Sequence, residues 1–295
     1  MPKFHSLELS YKNFARYERG HRPATIKQTI DLVRKLLQRA GNENVCDINT
    51  AIVRDFLQCG RMERDWSAKT FQLYRQYLKT FFEWAKEEGF VDENPVTPIK
   101  QPRLPKRLPR CLTPDEARKV LFAARSFNWH LELQRSRNEA ICYTLTYAGL
   151  RLSEFMNLET VDVDLFERTI RVRDGKNAKE RFIPISEDLY PVLKRYSDDR
   201  KRLGPSSKWF FGSIRSNKRL TKKNAEDIIR RISARAKVKF TAHMLRHTFG
   251  KICVDSGIDI RTIQVWMGHE DIRTTQIYTF VSLETSKQAM TKLQL

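Results

Sequence analysis

The 295-residue sequence predicts a mainly helical protein with one small antiparallel β-sheet, arranged as two domains. Apolar residues recur every three to four positions over most of the chain, which is the period of helices that bury one face. Alternation with period two is confined to residues 160–185, so strands are expected there. A proline-rich basic segment at 100–110 separates the two halves. The length and a hydrophobic content of 40% are enough to build a real core.

The first domain, residues 1–98, is expected to contain about four helices. Apolar residues between 26 and 37 predict one of them, and a shorter helix would end at Gly60. Ser67 would cap a longer helix that stops near Gly89. The aromatic residues of this domain follow the helical period and are therefore assigned to its core. They are Tyr11, Phe14, Tyr17, Phe71, Tyr74 and Phe81.

The second domain, residues 112–295, opens with a helix and then changes character. Thr113-Pro-Asp-Glu116 is a capping box, with proline at the first helical position and glutamate three residues after the cap. A second apolar helix would end at Gly149. Short strands are then predicted at 161–164, 169–173 and 181–185, and the last two form a β-hairpin around the turn-rich loop 174–179. Beyond residue 186 the pattern is again mostly helical.

The charge balance indicates a polyanionic partner. Lys and Arg number 55 against 35 Asp and Glu, which gives a formal net charge of +20. Such an excess favours nucleic acid or an anionic membrane surface. The linker, residues 99–111, contributes Lys100, Arg103, Lys106 and Arg107 and no acidic residue. It can be interpreted either as a solvated tether or as a basic strap along a phosphate backbone.

Several other classes of protein are disfavoured. No apolar run approaches the ~18 residues that a membrane span needs, and the N-terminus lacks the core of a signal peptide. The five cysteines are scattered and odd in number. This argues against a disulfide framework or a zinc site and fits a reducing cytosol. No glycine-rich loop of the Walker type is present.

Two segments place arginine where it could bind a phosphate. Arg151 lies at a sharp junction between two helices, and Glu154 could hold its guanidinium in place. His243 and Arg246 are three residues apart, which puts both on one helix face. Imidazole and guanidinium together can bind one phosphate through charge-assisted hydrogen bonds. His247 is expected to point elsewhere and is interpreted as a structural residue.

Three further positions complete the set of candidates. His269 would project from a turn at Gly268, Tyr278 follows nine residues later, and Lys176 lies in the hairpin loop. A tyrosine can attack phosphorus when its neighbours stabilise the charge on the phosphate, and the flexible stem of lysine suits a proton donor. No Asp, Glu or Cys lies at ligand spacing around His243 and His269, so no metal site is expected.

In this order and near these separations, the segments resemble the tyrosine recombinase (phage integrase) family. The matching text is Ala148-Gly-Leu-Arg-Leu-Ser-Glu, Gly175-Lys-Asn-Ala-Lys-Glu-Arg, His243-Met-Leu-Arg-His-Thr-Phe, and Met267-Gly-His followed by Thr-Thr-Gln-Ile-Tyr-Thr. The resemblance covers nearly the whole chain and is strongest to compact Xer-type recombinases. It implies a SAM-like core-binding domain at 1–98 and a mixed α/β catalytic domain at 112–295. Ala148, Met267 and Phe280 depart from the common pattern without removing a catalytic group.

The resemblance implies site-specific strand exchange in DNA through a 3′-phosphotyrosyl intermediate at Tyr278, without metal, ATP or another cofactor. Arg151 and Arg246 would hold the non-bridging phosphate oxygens, where charge rises in the transition state. His243 and His269 would add hydrogen-bond donors, and His243 could also assist removal of the tyrosine proton.

Lys176 would protonate the departing 5′-oxygen, and Glu154 would orient Arg151. The expected partner is double-stranded DNA, with a homotetramer, or a heterotetramer that includes a second recombinase, in the synaptic complex. The expected location is the cytoplasm, in association with the nucleoid and away from membranes. Chromosome dimer resolution and the integration or excision of a mobile element are the roles that such an enzyme would serve.

Alternative functions remain open at this point. A type IB topoisomerase-like relaxase shares the phosphotyrosine chemistry, and the topology of the product separates the two activities. A DNA-binding regulator that does not cleave would not need the complete set of six groups. A metal-dependent nuclease is disfavoured by the missing carboxylate cluster, and activity in EDTA would decide that point.

Overall fold

The computed structural model of the protein describes residues 3–104, 109–173 and 180–278. Contacts divide the chain into two units, Met1–Arg107 and Leu108–Leu295, and each unit has a hydrophobic core of its own. The described parts are mostly helical and contain one three-stranded antiparallel sheet, which confirms the predicted fold class.

The N-terminal unit is a bundle of helices with a π-helical turn after the first one. Ser67 begins the longest of them as predicted, because its hydroxyl accepts a hydrogen bond from the backbone N–H of Thr70 at 3.1 Å. The helices are α1 (Phe4–Asn13), α2 (Pro23–Ala40), α3 (Thr50–Met62) and α4 (Ala68–Glu87), and the π-helical turn covers Phe14–Glu18.

Aromatic side chains of α1 and α4 fill the centre of this unit. Tyr11, Phe81 and Trp84 are buried, and the Tyr11 and Phe81 rings meet edge to face at 5.1 Å. The assignment of the aromatic residues to the core is thus confirmed for Tyr11 and Phe81. It is wrong for Tyr17, which is 77% exposed. The π-helical turn adds a residue to the repeat and so takes Tyr17 out of phase with α1.

The N-terminal unit extends past the predicted start of the linker at residue 99. Ile99 is buried in the core of this unit, and its carbonyl accepts a hydrogen bond from Arg75 Nε at 2.5 Å. The Gln72 amide donates to the Pro102 carbonyl at 2.8 Å. Side chains of α4 therefore supply hydrogen bonds to a segment that has no regular structure of its own.

The C-terminal unit packs its helices around a hydrophobic core that includes residues 140–142. The predicted capping box is confirmed, since Thr113 Oγ1 accepts from the Glu116 N–H at 3.2 Å and Glu116 Oε2 accepts from the Thr113 N–H at 2.9 Å. The helices are α5 (Pro114–Ser126), α6 (Glu132–Tyr147), α7 (Leu152–Met156), α8 (Tyr190–Leu203), α9 (Lys222–Ala236), α10 (Ala242–Asp255), α11 (Ile260–Met267) and α12 (Arg273–Gln276).

The predicted β-hairpin is present in the C-terminal unit. The strands are β1 (Val163–Asp164), β2 (Thr169–Arg173) and β3 (Glu180–Pro184), in the order β1-β2-β3. β2 and β3 pair antiparallel, and Ile170 lies opposite Ile183, with both side chains in the core. Val161 was expected in the first strand but lies in a 3₁₀ turn and is exposed. The hairpin loop, residues 174–179, lies outside the described residues.

Two glycines with left-handed backbone shape the chain just before candidate residues. Gly149, with φ +57°, precedes Arg151 by two positions, and Gly268, with φ +62°, directly precedes His269. A Cβ atom at Gly149 would also overlap the ring of Phe249 on α10. Glycine is therefore required at residue 149 for both its backbone conformation and its packing.

Replacement of Gly149 by alanine is expected to destabilise the C-terminal unit more than a matched replacement elsewhere. Gly149→Ala combines left-handed strain with a collision with Phe249. Gly257→Ala at φ +75° has open space around the new Cβ and costs the strain alone. We expect about 1 kcal/mol for Gly257→Ala and about 1–3 kcal/mol more for Gly149→Ala. Denaturant unfolding measures both, and equal losses would contradict the packing argument.

Candidate active site

A cleft of about 940 Å³ opens in the C-terminal unit among α7, α9 and α10. Four of the predicted site residues line it, although they come from separate segments of the chain. They are Arg151, His243, Arg246 and His269, and His247 lines the cleft beside them. The fold thus brings together most of the candidates that the sequence singled out.

Arg151 stands at the start of α7 and is held there from two sides. Its backbone N–H donates to Glu154 Oε2 at 2.8 Å, and its guanidinium donates to Glu154 Oε1 at 2.6 Å. A further donor of the same guanidinium bonds the Gly268 carbonyl at 2.5 Å. Glu154 therefore contacts the Arg151 guanidinium as the sequence suggested, while 42% of the arginine side chain stays exposed.

Arg246 is buried on α10, and its neighbour Leu245 lies in the core of the C-terminal unit. Its guanidinium donates to the carbonyls of Gly149 and Met267, each at 2.6 Å. Burial, followed by the charge of Arg151, lowers the pKa of Arg246 to about 10. The side chain is still a cation at neutral pH, so the cleft keeps a positive charge at its base.

A third arginine, Arg181 on β3, meets the same carboxylate. Its guanidinium forms a two-pronged contact with Glu154, at 2.7 Å to Oε2 and 3.2 Å to Oε1. Burial raises the pKa of Glu154, but the hydrogen bond and charge of Arg181, and then the contacts with Arg151, outweigh it and lower the pKa overall. Arg246 lies 3.9 Å from the same carboxylate, so three cations surround one ionised glutamate. Arg181 ends one of the segments that resemble the family, but no role was predicted for it, because its partners are distant in the chain.

Tyr278 is buried, is not among the residues that line the cleft, and packs against α10. Its hydroxyl lies 2.6 Å from Nδ1 of His247. A Cβ atom at Gly250 would come within 2.7 Å of the Tyr278 ring, so the ring can lie this close to the helix only over glycine. Burial raises the pKa of Tyr278 to about 12, although the charge of Arg246 opposes the rise.

His247, interpreted above as structural, is the histidine that contacts the tyrosine. A spacing of four residues places it on the same face of α10 as His243, and the two rings lie 4.2 Å apart. This spacing was the signal that could have identified it. Burial, then the neighbouring His243 and Arg246, lowers the pKa of His247 to about 4. His247 is therefore neutral at pH 7 and can accept the hydrogen bond of the Tyr278 hydroxyl on Nδ1.

His269 follows the Gly268 turn, and Thr275, which was not predicted as a site residue, fixes its orientation. Its Nδ1 lies 2.8 Å from Oγ1 of Thr275, which is fully buried. Burial, then the charges of Arg246 and Arg151, lowers the pKa of His269 to about 4. The His269 ring is nearly parallel to that of Tyr278, with 6.5 Å between the ring centres.

The remaining candidates lie away from the cleft or outside the described residues. Lys100 and Arg103 are exposed in the N-terminal unit, whereas Lys106, Arg107 and Lys176 fall among residues that the structure does not describe. Within residues 3–104, 109–173 and 180–278, no group of three or more His, Cys, Asp or Glu side chains could hold a metal ion. In the same ranges, no helix is long and apolar enough to cross a lipid bilayer.

The charge of Arg246 acts on the buried Tyr278 hydroxyl, and guanidinium groups held in fixed positions are suited to an anion such as a phosphate. The chain belongs to the phage integrase family, whose sequence model matches residues 110–284, and it is a tyrosine site-specific recombinase.

Its relatives include recombinases of the Xer type. The chain is 33% identical over 278 residues to tyrosine recombinase XerA of Thermococcus onnurineus, which covers 94% of this chain and 91% of that protein. It is 30% identical over 298 residues to tyrosine recombinase XerC of Oceanobacillus iheyensis, with coverage of 97% and 96%. The coverage extends over both units.

Solved structures show the same fold. A crystal structure of XerA recombinase matches 97% of this chain and 99% of its own length, with a TM-score of 0.55 and 28% identity. The XerH site-specific recombinase bound to palindromic difH substrate, in a post-cleavage complex, matches with a TM-score of 0.75. It covers 97% of this chain and 84% of that one at 20% identity, so this second likeness concerns the fold.

The two neutral histidines predict that the protein loses stability in mild acid. Both pKa values are lowered in the folded state, to about 4, from an ordinary value near 6.5. The unfolded chain therefore binds more protons than the folded chain once the pH falls below ~6.5. The stabilising contribution of neutral His247 and His269 is complete above that pH. It is lost as the pH falls toward 4.

Denaturant unfolding between pH 7 and pH 4 measures this loss. The His247→Gln variant should lose less free energy of unfolding over this range than the unmodified protein. The variant His130→Gln, at an exposed position of the same unit, should follow the unmodified protein. If the His247→Gln and His130→Gln variants lose equal amounts, His247 is not held neutral by the fold.

Proposed function

We propose that the protein cuts and rejoins double-stranded DNA at a specific site through a covalent 3′-phosphotyrosyl link at Tyr278. The observation that carries this proposal is the contact between the Tyr278 hydroxyl and neutral His247, which itself lines the cationic cleft. The contact supplies a nucleophile and a proton acceptor at the edge of an anion-binding site. Metal ion and nucleotide have no part in the proposed reaction.

The cleft is suited to a phosphodiester in the transition state. The side chain of Arg151 is partly exposed to the cleft, and Arg246 lies at its base. Both guanidinium groups are already fixed by bonds to backbone carbonyls. Donors that are in place before the reaction need no reorganisation as charge rises on the non-bridging oxygens. His243 and His269 line the same space and would donate to the same phosphate.

The proton of the tyrosine is expected to pass to His247 rather than to His243. His247 Nδ1 is within hydrogen-bond distance of the hydroxyl, and a neutral imidazole can accept a proton. As the Tyr278 oxygen bonds to phosphorus, the bond from phosphorus to the 5′-oxygen breaks. Lys176 is proposed to give that oxygen its proton. Covalent capture conserves the phosphodiester, so the strand can be rejoined without an energy source.

Double-stranded DNA is the proposed substrate of both units. The net charge of +20 supports a phosphate-rich partner. The Tn1549 transposon integrase, a protein of the same fold, was solved in complex with a circular intermediate DNA. We assign DNA binding to the N-terminal unit, with exposed Lys100 and Arg103 near its end as phosphate contacts. Four protomers would act together on two sites, in chromosome dimer resolution or in the integration or excision of a mobile element.

Replacement of Tyr278 by phenylalanine is expected to abolish covalent capture of DNA. Duplexes are first selected from a random-sequence pool by binding to the Tyr278→Phe protein, and are then nicked at successive positions. The unmodified protein, incubated with these duplexes in EDTA without ATP, should give a protein–DNA adduct on a denaturing gel. Tyr278→Phe should give no adduct and bind DNA nearly as tightly, because phosphate contacts dominate affinity. Tyr190→Phe, in the same unit, serves as the control and should form the adduct.

Other outcomes would indicate the alternative functions. An adduct that persists in Tyr278→Phe would identify a different nucleophile. Specific DNA binding without any adduct from the unmodified protein would favour a regulator that does not cleave. Cleavage that requires a divalent cation would favour a nuclease. Relaxation of supercoiled DNA without joining of two sites would favour a topoisomerase-like activity.

A further inference from the structure

Three guanidinium nitrogens of Arg181 donate hydrogen bonds to acceptors within the protein. Its Nε donates to the Trp266 carbonyl at 2.8 Å, and its two terminal nitrogens donate to the two carboxylate oxygens of Glu154. The side chain is only 10% exposed. Neither Arg181 nor Glu154 is among the described residues that line the cleft. Arg181 is thus directed at the supports of the site and away from the space where a phosphate would bind.

The Glu154 carboxylate connects Arg181 to Arg151. Oε1 accepts from both guanidinium groups, and Oε2 accepts from Arg181 and from the Arg151 backbone. A glutamate side chain has several rotatable bonds, whereas a two-pronged contact with a planar guanidinium fixes the plane of the carboxylate. The direction of the Arg151 guanidinium therefore depends on a carboxylate that Arg181 holds in place.

The positive charge of Arg181 also supports its role as a partner of Glu154. Arg151 and Glu154 alone would form an ion pair with no net charge, and such a pair attracts a phosphate weakly. Arg181 offsets the carboxylate, so the group of three keeps one positive charge for the cleft. Arg246, whose nearest ion-pair distance to Glu154 is 3.9 Å, would otherwise be the next cation available to that carboxylate. Removal of Arg181 thus weakens both the orientation and the charge that a phosphate meets.

We propose that Arg181 is a positioning residue that acts through Glu154 to hold the Arg151 guanidinium in place for the scissile phosphate. The effect of Arg181 on the cleavage rate rests on the proposed function. Its structural consequence, the placement of Arg151, does not depend on cleavage. Lysine cannot replace Arg181, because a single ammonium group lacks the two-pronged geometry.

The kinetic test compares Arg181→Lys with Arg171→Lys. Arg171 lies on the neighbouring strand β2 and pairs with Asp162, outside the cleft, so the same change there is a matched control. In single-turnover cleavage of the nicked duplex, Arg181→Lys should be slower by about 10²-fold, the loss expected from small misplacement of a catalytic group. Arg171→Lys should cleave at the unmodified rate. The DNA affinity of both variants should change by less than about threefold, since other phosphate contacts remain.

A double-variant cycle distinguishes positioning from a general loss of structure. In a chain that already carries Arg151→Gln, the change Arg181→Lys should add little further loss of rate, because the group that it positions is absent. An equal loss in both backgrounds would overturn the proposal. A second measurement follows the cleavage rate of a duplex in which sulfur replaces the 5′-bridging oxygen. Sulfur is a leaving group that needs no proton. If this substrate restores the rate of Arg181→Lys, Arg181 acts on leaving-group protonation and the proposal is wrong.

The structural test holds even if the proposed function fails. A crystal structure of Arg181→Lys should show that the Arg151 guanidinium has lost its 2.6 Å contact with Glu154 Oε1, whereas Arg171→Lys should keep that contact. An unchanged contact in Arg181→Lys would overturn the proposal, with or without cleavage. If the unmodified protein forms no adduct but Arg181→Lys loses the contact, the proposed function is wrong. The positioning role of Arg181 is then still supported.

Discussion

The C-terminal end of α11 is the constraint on which the candidate site depends. A helix leaves its last carbonyls without partners and carries partial negative charge there. The carbonyls of residues 266–268 each accept a hydrogen bond from a different guanidinium, those of Arg181, Arg246 and Arg151 in that order. The Glu154 carboxylate lies among the same three cations. The helix end and the carboxylate together hold three mutually repelling arginines close to one another. The group keeps an excess of positive charge, which favours binding of an anion.

The tyrosine is held by a different balance of forces. Tyr278 packs over Gly250 and is almost fully buried, so the neutral phenol is favoured over the phenolate. The charge of Arg246 acts in the opposite direction, and His247 provides a neutral acceptor for the proton. The contact that fixes the hydroxyl is also the path by which its proton can leave. In the proposed reaction, α10 would couple phosphate binding to activation of the nucleophile, because it carries both Arg246 and His247.

Local patterns in the sequence predicted most of the elements, because helix period, capping residues and strand alternation are local. The capping box at Thr113 and the hairpin of β2 and β3 are examples. Local patterns did not predict the side-chain positions that depend on a contact between distant parts of the chain. The two-pronged contact between Arg181 and Glu154 joins β3 to α7, and neither segment predicts it alone. The prediction for Tyr17 was wrong because of a π-helical turn, which no pattern in the sequence indicates. The prediction that Arg151 and Tyr278 belong to one site came from the family resemblance and not from periodicity.

We expect the preformed group of arginines to bind the scissile phosphate. A crystal structure of the Tyr278→Phe protein with an uncleaved duplex would measure this. The non-bridging oxygens of one phosphate should lie within hydrogen-bond distance of the Arg151 and Arg246 guanidinium groups, while Glu154 still holds Arg151. A phosphate bound elsewhere, or an Arg151 that has left Glu154 to reach it, would show that the arginines do not bind the phosphate in this preformed arrangement.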